Sequence, residues 1–177
     1  MHHDAFNLDE AVAMLERTPA TLSALLANLP ERWERAIDGD GEWSPYDVIG
    51  HLIDGERANW MVRARHILAG EPGPFPPFDR TAHLNANQGK STGDLLATFA
   101  ELRRENVAAL VGLKLTDEDL NRTGLHPEFG EVRLGQLLAT WVVHDLNHLR
   151  QIVQSLARVY TEAVGPWSAY LLILERE

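Results

Sequence analysis

Apolar residues recur along most of the chain at intervals of three, four and seven, and that period assigns four helices. Leu8, Val12, Leu15, Leu22, Leu26 and Leu29 form the first stripe, the spacing of an amphipathic helix, with Thr18-Pro19 predicting a kink midway. A second helix opens at Ser44-Pro45-Tyr46-Asp47. There Ser44 can cap, Pro45 occupies a first-turn position that has no hydrogen-bond duty, and Asp47 favours the positive helix end. It should run to about Ala69, where Gly70 and Pro72 stop it. The third starts near Ser91-Thr92-Gly93-Asp94 and carries Leu95, Leu96, Phe99, Leu102, Leu110 and Leu113; the fourth runs from about Leu134 to Val159.

Period-two alternation is confined to a short hairpin around Phe129-Gly130-Glu131-Val132. The expected class is therefore all-α, a four-helix bundle with long connecting loops, folded as one domain over residues 1–177. The Pro-rich segment 71–90 exceeds a plain connection in a compact bundle, which predicts a lid or a mobile loop. After Gly165-Pro166 the chain turns apolar again, through Trp167, Tyr170, Leu171 and Leu172, and this tail is expected to pack on the bundle or on a second subunit.

Composition removes several chemistries. There is no cysteine, so disulfides, thiolate nucleophiles and cysteine-ligated metals are excluded, and any metal must sit on His, Asp or Glu. With 26 acidic against 16 basic residues, the net charge of −10 repels nucleic acid and anionic membrane surfaces. The basic pairs Arg63 with Arg65 and Arg103 with Arg104 read as solvated helix faces. No apolar run approaches the ~20 residues that span a bilayer, and no signal-like segment opens the chain, so a cytoplasmic protein is expected.

Against that background WVVHDLNHLRQI, residues 141–152, stands out. His144 and His148 lie four apart on a helix, hence on one face and only ~6 Å apart in rise, so both can aim a ring nitrogen at one point. Core histidines satisfied by hydrogen bonds are the alternative reading. The zinc-protease pattern H-E-x-x-H fails, because Asp145 replaces the glutamate and no histidine follows His148. A third ligand must come from upstream. His2 and His3 are terminal, while His83 and His126 fall in loops. His51 and His66 lie about 22 Å apart on the second helix and cannot share an ion. His51, well inside that helix, is the expected third ligand; His66 is placed near its solvated end.

Gly55, one turn after His51, either leaves space for a ligand or permits close helix packing. Three imidazoles with an open position suit zinc first, with nickel, iron or manganese also compatible. Such an ion lowers the pKa of bound water to about 7 or holds a thiol as thiolate. Asp54, Asp145, Asn147 and Gln151 are candidates to orient the ligand rings, and Asp54, Glu56 and Asp145 are candidates for a general base.

Trp43-Ser44-Pro45 followed by His51-Leu52, His126-Pro127-Glu128-Phe129-Gly130 leading into Leu134-Gly135-Gln136-Leu137-Leu138, and His144-Asp145-Leu146-Asn147-His148 together resemble the DinB-like superfamily, its YfiT-like metal-dependent hydrolases in particular. The resemblance covers nearly the whole chain. It implies an up-down-down-up bundle, commonly dimeric, with a divalent ion on His51, His144 and His148. It also implies a small-molecule substrate and either hydrolysis or transfer of a low-molecular-weight thiol, as in bacillithiol transferases and mycothiol-dependent maleylpyruvate isomerase. The loop Arg122–Gly130 would then serve packing and turn formation or contact substrate. A non-catalytic bundle in which the ion only joins helices is the rival reading, and a metal-free bundle a third.

Overall fold

The computed structural model describes residues 6–39 and 41–175; His2 and His3 lie outside them. Four rods form the bundle. The first is broken into α1 (Leu8–Leu15) and α2 (Thr18–Leu26), and the second into α4 (Pro45–Ala58) and α5 (Trp60–Ala69). The third is α7 (Thr92–Gly112) and the fourth α9 (Leu134–Arg158). The short helices α3 (Glu31–Glu34), α6 (His83–Ala86) and α8 (Asp117–Asn121) lie in the connections. The expected hairpin is present, with β1 (Thr123–His126) antiparallel to β2 (Gly130–Arg133) and Gly130 turning at φ +73°. Two 3-10 turns, Gly165–Tyr170 and Leu172–Leu174, end the chain. Among the described residues no helix is long and apolar enough to cross a membrane.

Two sequence expectations change. The first helix does not merely kink at Thr18-Pro19 but divides there, and the second is interrupted at Asn59, whose φ −114°, ψ −74° departs from helical values. The caps follow the sequence. Ser44 and Asp47 form a reciprocal capping box at the start of α4, and Ser91 with Asp94 does the same for α7.

Rod directions follow from who meets whom. His51 approaches His144 and His148 while Trp60 stacks on Trp141, so the second and fourth rods are antiparallel. Glu56 binds Arg103 and Asn106, and Tyr46 binds the Lys90 carbonyl just before α7, so the second and third are parallel. Thr18 meets Asp145 and Arg32 meets Tyr160, so the first and fourth are parallel too. The order is up, down, down, up. Parallel second and third rods need a connection that returns along the bundle, about 30 Å for a helix the length of α7. That is why the segment between them is long.

The core has two apolar layers. Leu15, Met61, Ile67, Leu110, Leu138 and Trp141 fill one; Leu22, Leu26, Ile49, Leu52, Phe99 and Ile152 fill the other. Between them lies a polar layer centred on Arg103, which is 1% exposed. Its guanidinium donates to Glu56 at 2.8 and 3.0 Å, to Asp145 at 2.5 and 3.0 Å, and to the Leu15 carbonyl at 2.9 Å. Asn106 and the Trp141 indole complete Glu56, and Thr18 completes Asp145. This knot ties all four rods.

Two placements are thereby corrected, those of Arg103 and His66. Arg103 is not on a solvated face; it is the most enclosed cation of the core. Glu56 and Asp145, candidates for a general base, are enclosed and bonded to Arg103, whose charge each needs as a partner once out of water. His66 is also buried rather than solvated, with Nδ1 3.0 Å from Glu71 and Nε2 3.3 Å from the Gly73 carbonyl, which makes it a structural histidine.

Candidate metal centre

His51 on α4 and His144 and His148 on α9 converge. Nε2 of His144 lies 3.2 Å from Nε2 of His51 and 3.1 Å from Nε2 of His148. Ligand atoms of the three residues all fall within 4.8 Å of one another. Two imidazole nitrogens bound tetrahedrally at about 2.05 Å from zinc stand about 3.3 Å apart, so the spacing is that of a chelate.

Hydrogen bonding alone does not account for it. A neutral imidazole nitrogen offers one proton or one in-plane lone pair, so His144 Nε2 can satisfy only one of its two neighbours. His148 Nδ1 donates to Gln151 Oε1 at 2.9 Å, which turns its Nε2 lone pair toward the other two rings. Of the predicted orienting residues Gln151 takes the role, Asp145 is held by Arg103, and Asn147 is exposed.

Electrostatics keep the rings ready for an ion. Burial, then the neighbouring His148 and His83, lowers His51 to about 4, and burial followed by His148 and His51 lowers His144 to about 2. Burial also pushes His148 down, against the opposing pull of Gln151 and Asp145. All three are therefore neutral near pH 7, the form a metal requires. The donor set and its spacing fit a divalent cation.

Each ring is braced by an indole. Trp43 tilts against His51 at 4.8 Å and stacks beside His148 at 6.4 Å, and Trp60 packs edge-on to His144 at 5.0 Å. The Gly55 question resolves toward packing, since a Cβ there would stand 3.1 Å from the Trp60 indole nitrogen. His83 escapes sequence reasoning. It sits in α6 of the crossover, 1% exposed, with its ring 5.5 Å from His51 and 4.6 Å from Trp43. Gly50 admits it: a Cβ at that position would lie 3.2 Å from His83 Cβ and 2.5 Å from the Asn87 amide nitrogen. Asp54 faces the same side, its carboxyl raised by burial and one oxygen enclosed without a partner.

The three imidazoles open on a cavity of about 630 Å³, within the range of small-molecule sites. The crossover supplies Phe75, Pro77, Phe78 and Arg80 to its wall, the hairpin supplies His126, Pro127, Glu128 and Phe129, and α9 supplies Gln136, Leu137 and Thr140. The hairpin loop thus lines the cavity as well as forming a turn, in which His126 Nδ1 accepts from the Glu128 and Phe129 amides.

Known proteins are similar to this chain in sequence and fold. Proteins of Bacillus cereus and Bacillus thuringiensis named "Putative metal-dependent hydrolase" are each 24% identical over 146 residues, covering 82% of this chain and 83% of theirs. The structure of YfiT from Bacillus subtilis, described as "a probable metal-dependent hydrolase with an unusual four-helix bundle topology", superposes with a TM-score of 0.76 at 24% identity over 90% of this chain and 93% of that one. TT2238, a four-helix bundle protein, gives 0.52 at 26% identity over 81% of this chain and 96% of that one. The DinB superfamily profile matches residues 14–152, from the end of α1 through both α9 histidines, and to that superfamily this chain belongs.

Proposed function

We propose that the protein is a divalent-metal-dependent enzyme that activates a small nucleophile at His51, His144 and His148 and directs it at a small molecule held in the adjoining cavity. The observation that carries this reading is the meeting of three neutral, brace-packed Nε2 atoms beside a cavity large enough for a substrate. A bound divalent ion supplies Lewis acidity and makes a water or a thiol nucleophilic at neutral pH. The chain's own part is to hold the rings. Trp43 and Trp60 fix their planes, Gln151 fixes the His148 tautomer, and the aromatic walls exclude water.

Transfer of a low-molecular-weight thiol ranks first on family grounds, hydrolysis second. Zinc is the first choice of ion, with nickel, iron and manganese behind it. Of the three candidate bases only Asp54 is free of the Arg103 knot, and it lies within one helical turn of His51, so the reading retains it for proton transfer. The reading includes a cytoplasmic homodimer built through the exposed tail residues Trp167, Tyr170 and Leu172.

A purely structural ion is disfavoured by the core itself. The Arg103 knot and two apolar layers already join α4 to α9, so no staple is missing. The test is elemental analysis of protein prepared without a metal-affinity column, together with His148→Ala. About one divalent ion per chain, lost in the variant along with turnover, is the expected result; a variant that keeps its metal and full turnover refutes the assignment. Chelation should abolish turnover with only a small fall in melting temperature, whereas a structural ion would give a large fall and no activity to lose.

A further inference from the structure

The cavity that opens on the three imidazoles also carries two guanidinium groups, Arg63 of α5 and Arg80 of the crossover. Neither has an ion-pair partner among the described residues. The Arg63 Nε is enclosed and without a hydrogen-bond partner, while its guanidinium carbon rests 5.3 Å from the centre of the Phe75 ring. Burial first, and the positive charge of Arg80 second, push Arg63 below the ordinary arginine range. An enclosed donor left unmade is costly, and two cations sharing one cavity add repulsion. A single anion placed between them relieves both.

We propose that the cavity takes a small monocarboxylate with an apolar or aromatic body, its carboxylate gripped by Arg63 and Arg80 and its body laid against Phe75, Phe78 and Trp60. The inference rests on reading the cavity as the substrate side of the metal centre, and it names the substrate class that reading leaves open. Three features select the class. The planar guanidinium fork matches a carboxylate through two parallel hydrogen bonds. Glu128, on the same cavity wall and paired with neither arginine, offsets one of the two guanidinium charges and disfavours a second anionic group beside them. The aromatic residues around the arginines suit a flat or apolar body rather than a sugar or a polyanion.

Trp43 and Trp60 line the cavity and report occupancy by fluorescence. The full-length chain, supplied with one equivalent of zinc, is titrated with 3-phenylpropionate, its neutral amide, and phenyl phosphate. The acid should bind at least tenfold tighter than the amide and tighter than the phosphate ester. Arg63→Met should weaken the acid at least tenfold, the loss expected for one charge-assisted pair. Arg80→Met, at an exposed position that tolerates substitution, should weaken it several-fold. Zinc affinity, read by competition with a chelating dye, should stay within twofold of wild type in both variants. The proposal is overturned if the acid fails to bind, if amide or phosphate matches it, or if its affinity survives both arginine substitutions. Failure of zinc binding with acid discrimination intact refutes the metal reading and leaves this inference standing; zinc binding without acid discrimination does the reverse.

Discussion

Replacing Arg103 with leucine should remove the one cation in the polar layer and strand two carboxylates side by side. Glu56 and Asp145 are 4% and 2% exposed, so water cannot replace the guanidinium that now donates to both. Breaking one buried ion pair costs about 3–5 kcal/mol. Here the lost group also serves the Leu15 carbonyl, so the upper end of that range is expected, a large part of the roughly 5–15 kcal/mol that holds a domain together. Urea unfolding followed by circular dichroism measures it at pH 7 and again at pH 5. The pH dependence carries the reasoning. Burial already raises the Glu56 carboxyl with Arg103 in place, and loss of the guanidinium raises it further, so the folded variant takes up a proton first as pH falls. Its deficit relative to wild type should therefore shrink by about 1.4 kcal/mol per pH unit for each proton taken up. Arg103→Lys keeps the charge without the fork and should cost less. Adding Glu56→Gln and Asp145→Asn to Arg103→Leu should recover much of the loss. A cost below about 1 kcal/mol at pH 7, or a deficit unchanged between the two pH values, would refute the argument that this knot fastens the four rods.

The lowered histidine pKa values make metal affinity nearly independent of pH between 7 and 5.5, because His51 and His144 stay neutral down to about 4 and about 2; exposed imidazoles of pKa about 6.5 would each lose roughly tenfold over that interval, so cobalt titration at the two values separates the cases. The metal-free protein should lose stability as pH falls from about 6.5 toward 4, where the unfolded chain binds protons that folded His51 and His144 do not, and thermal melts without metal would show it. Gly124→Ala should destabilise by about 1–3 kcal/mol in urea unfolding, since a Cβ there would stand 2.6 Å from the Phe75 ring and 2.8 Å from Ile67 in the buried cavity wall. Sedimentation velocity should show a dimer that Tyr170→Ser with Leu172→Ser converts to monomer, and a wild-type monomer at micromolar concentration would remove the tail from the proposed interface.

How far the sequence reaches is set by which interactions are local. His144 and His148 were legible because a helix fixes the relation of residues four apart whatever surrounds it, and the capping residues at Ser44 and Ser91 act within three positions. His51 followed because only one upstream histidine lay deep in a long apolar-patterned helix. Arg103 and Arg104 show the limit. Adjacent charged residues look alike in a periodic pattern, yet one is the most enclosed cation in the core and the other lies exposed. What separates them is the rod order, which places Glu56 and Asp145 on either side of Arg103 and leaves Arg104 facing solvent. That same order explains why the substrate side was the least readable part. Parallel second and third rods force a long crossover, and the crossover carries Phe75, Phe78, Arg80 and His83 onto the site without any period of its own. Converging histidines carried on regular helices show in their spacing, whereas a cavity wall built by the irregular strap between those helices shows only when the chain is folded.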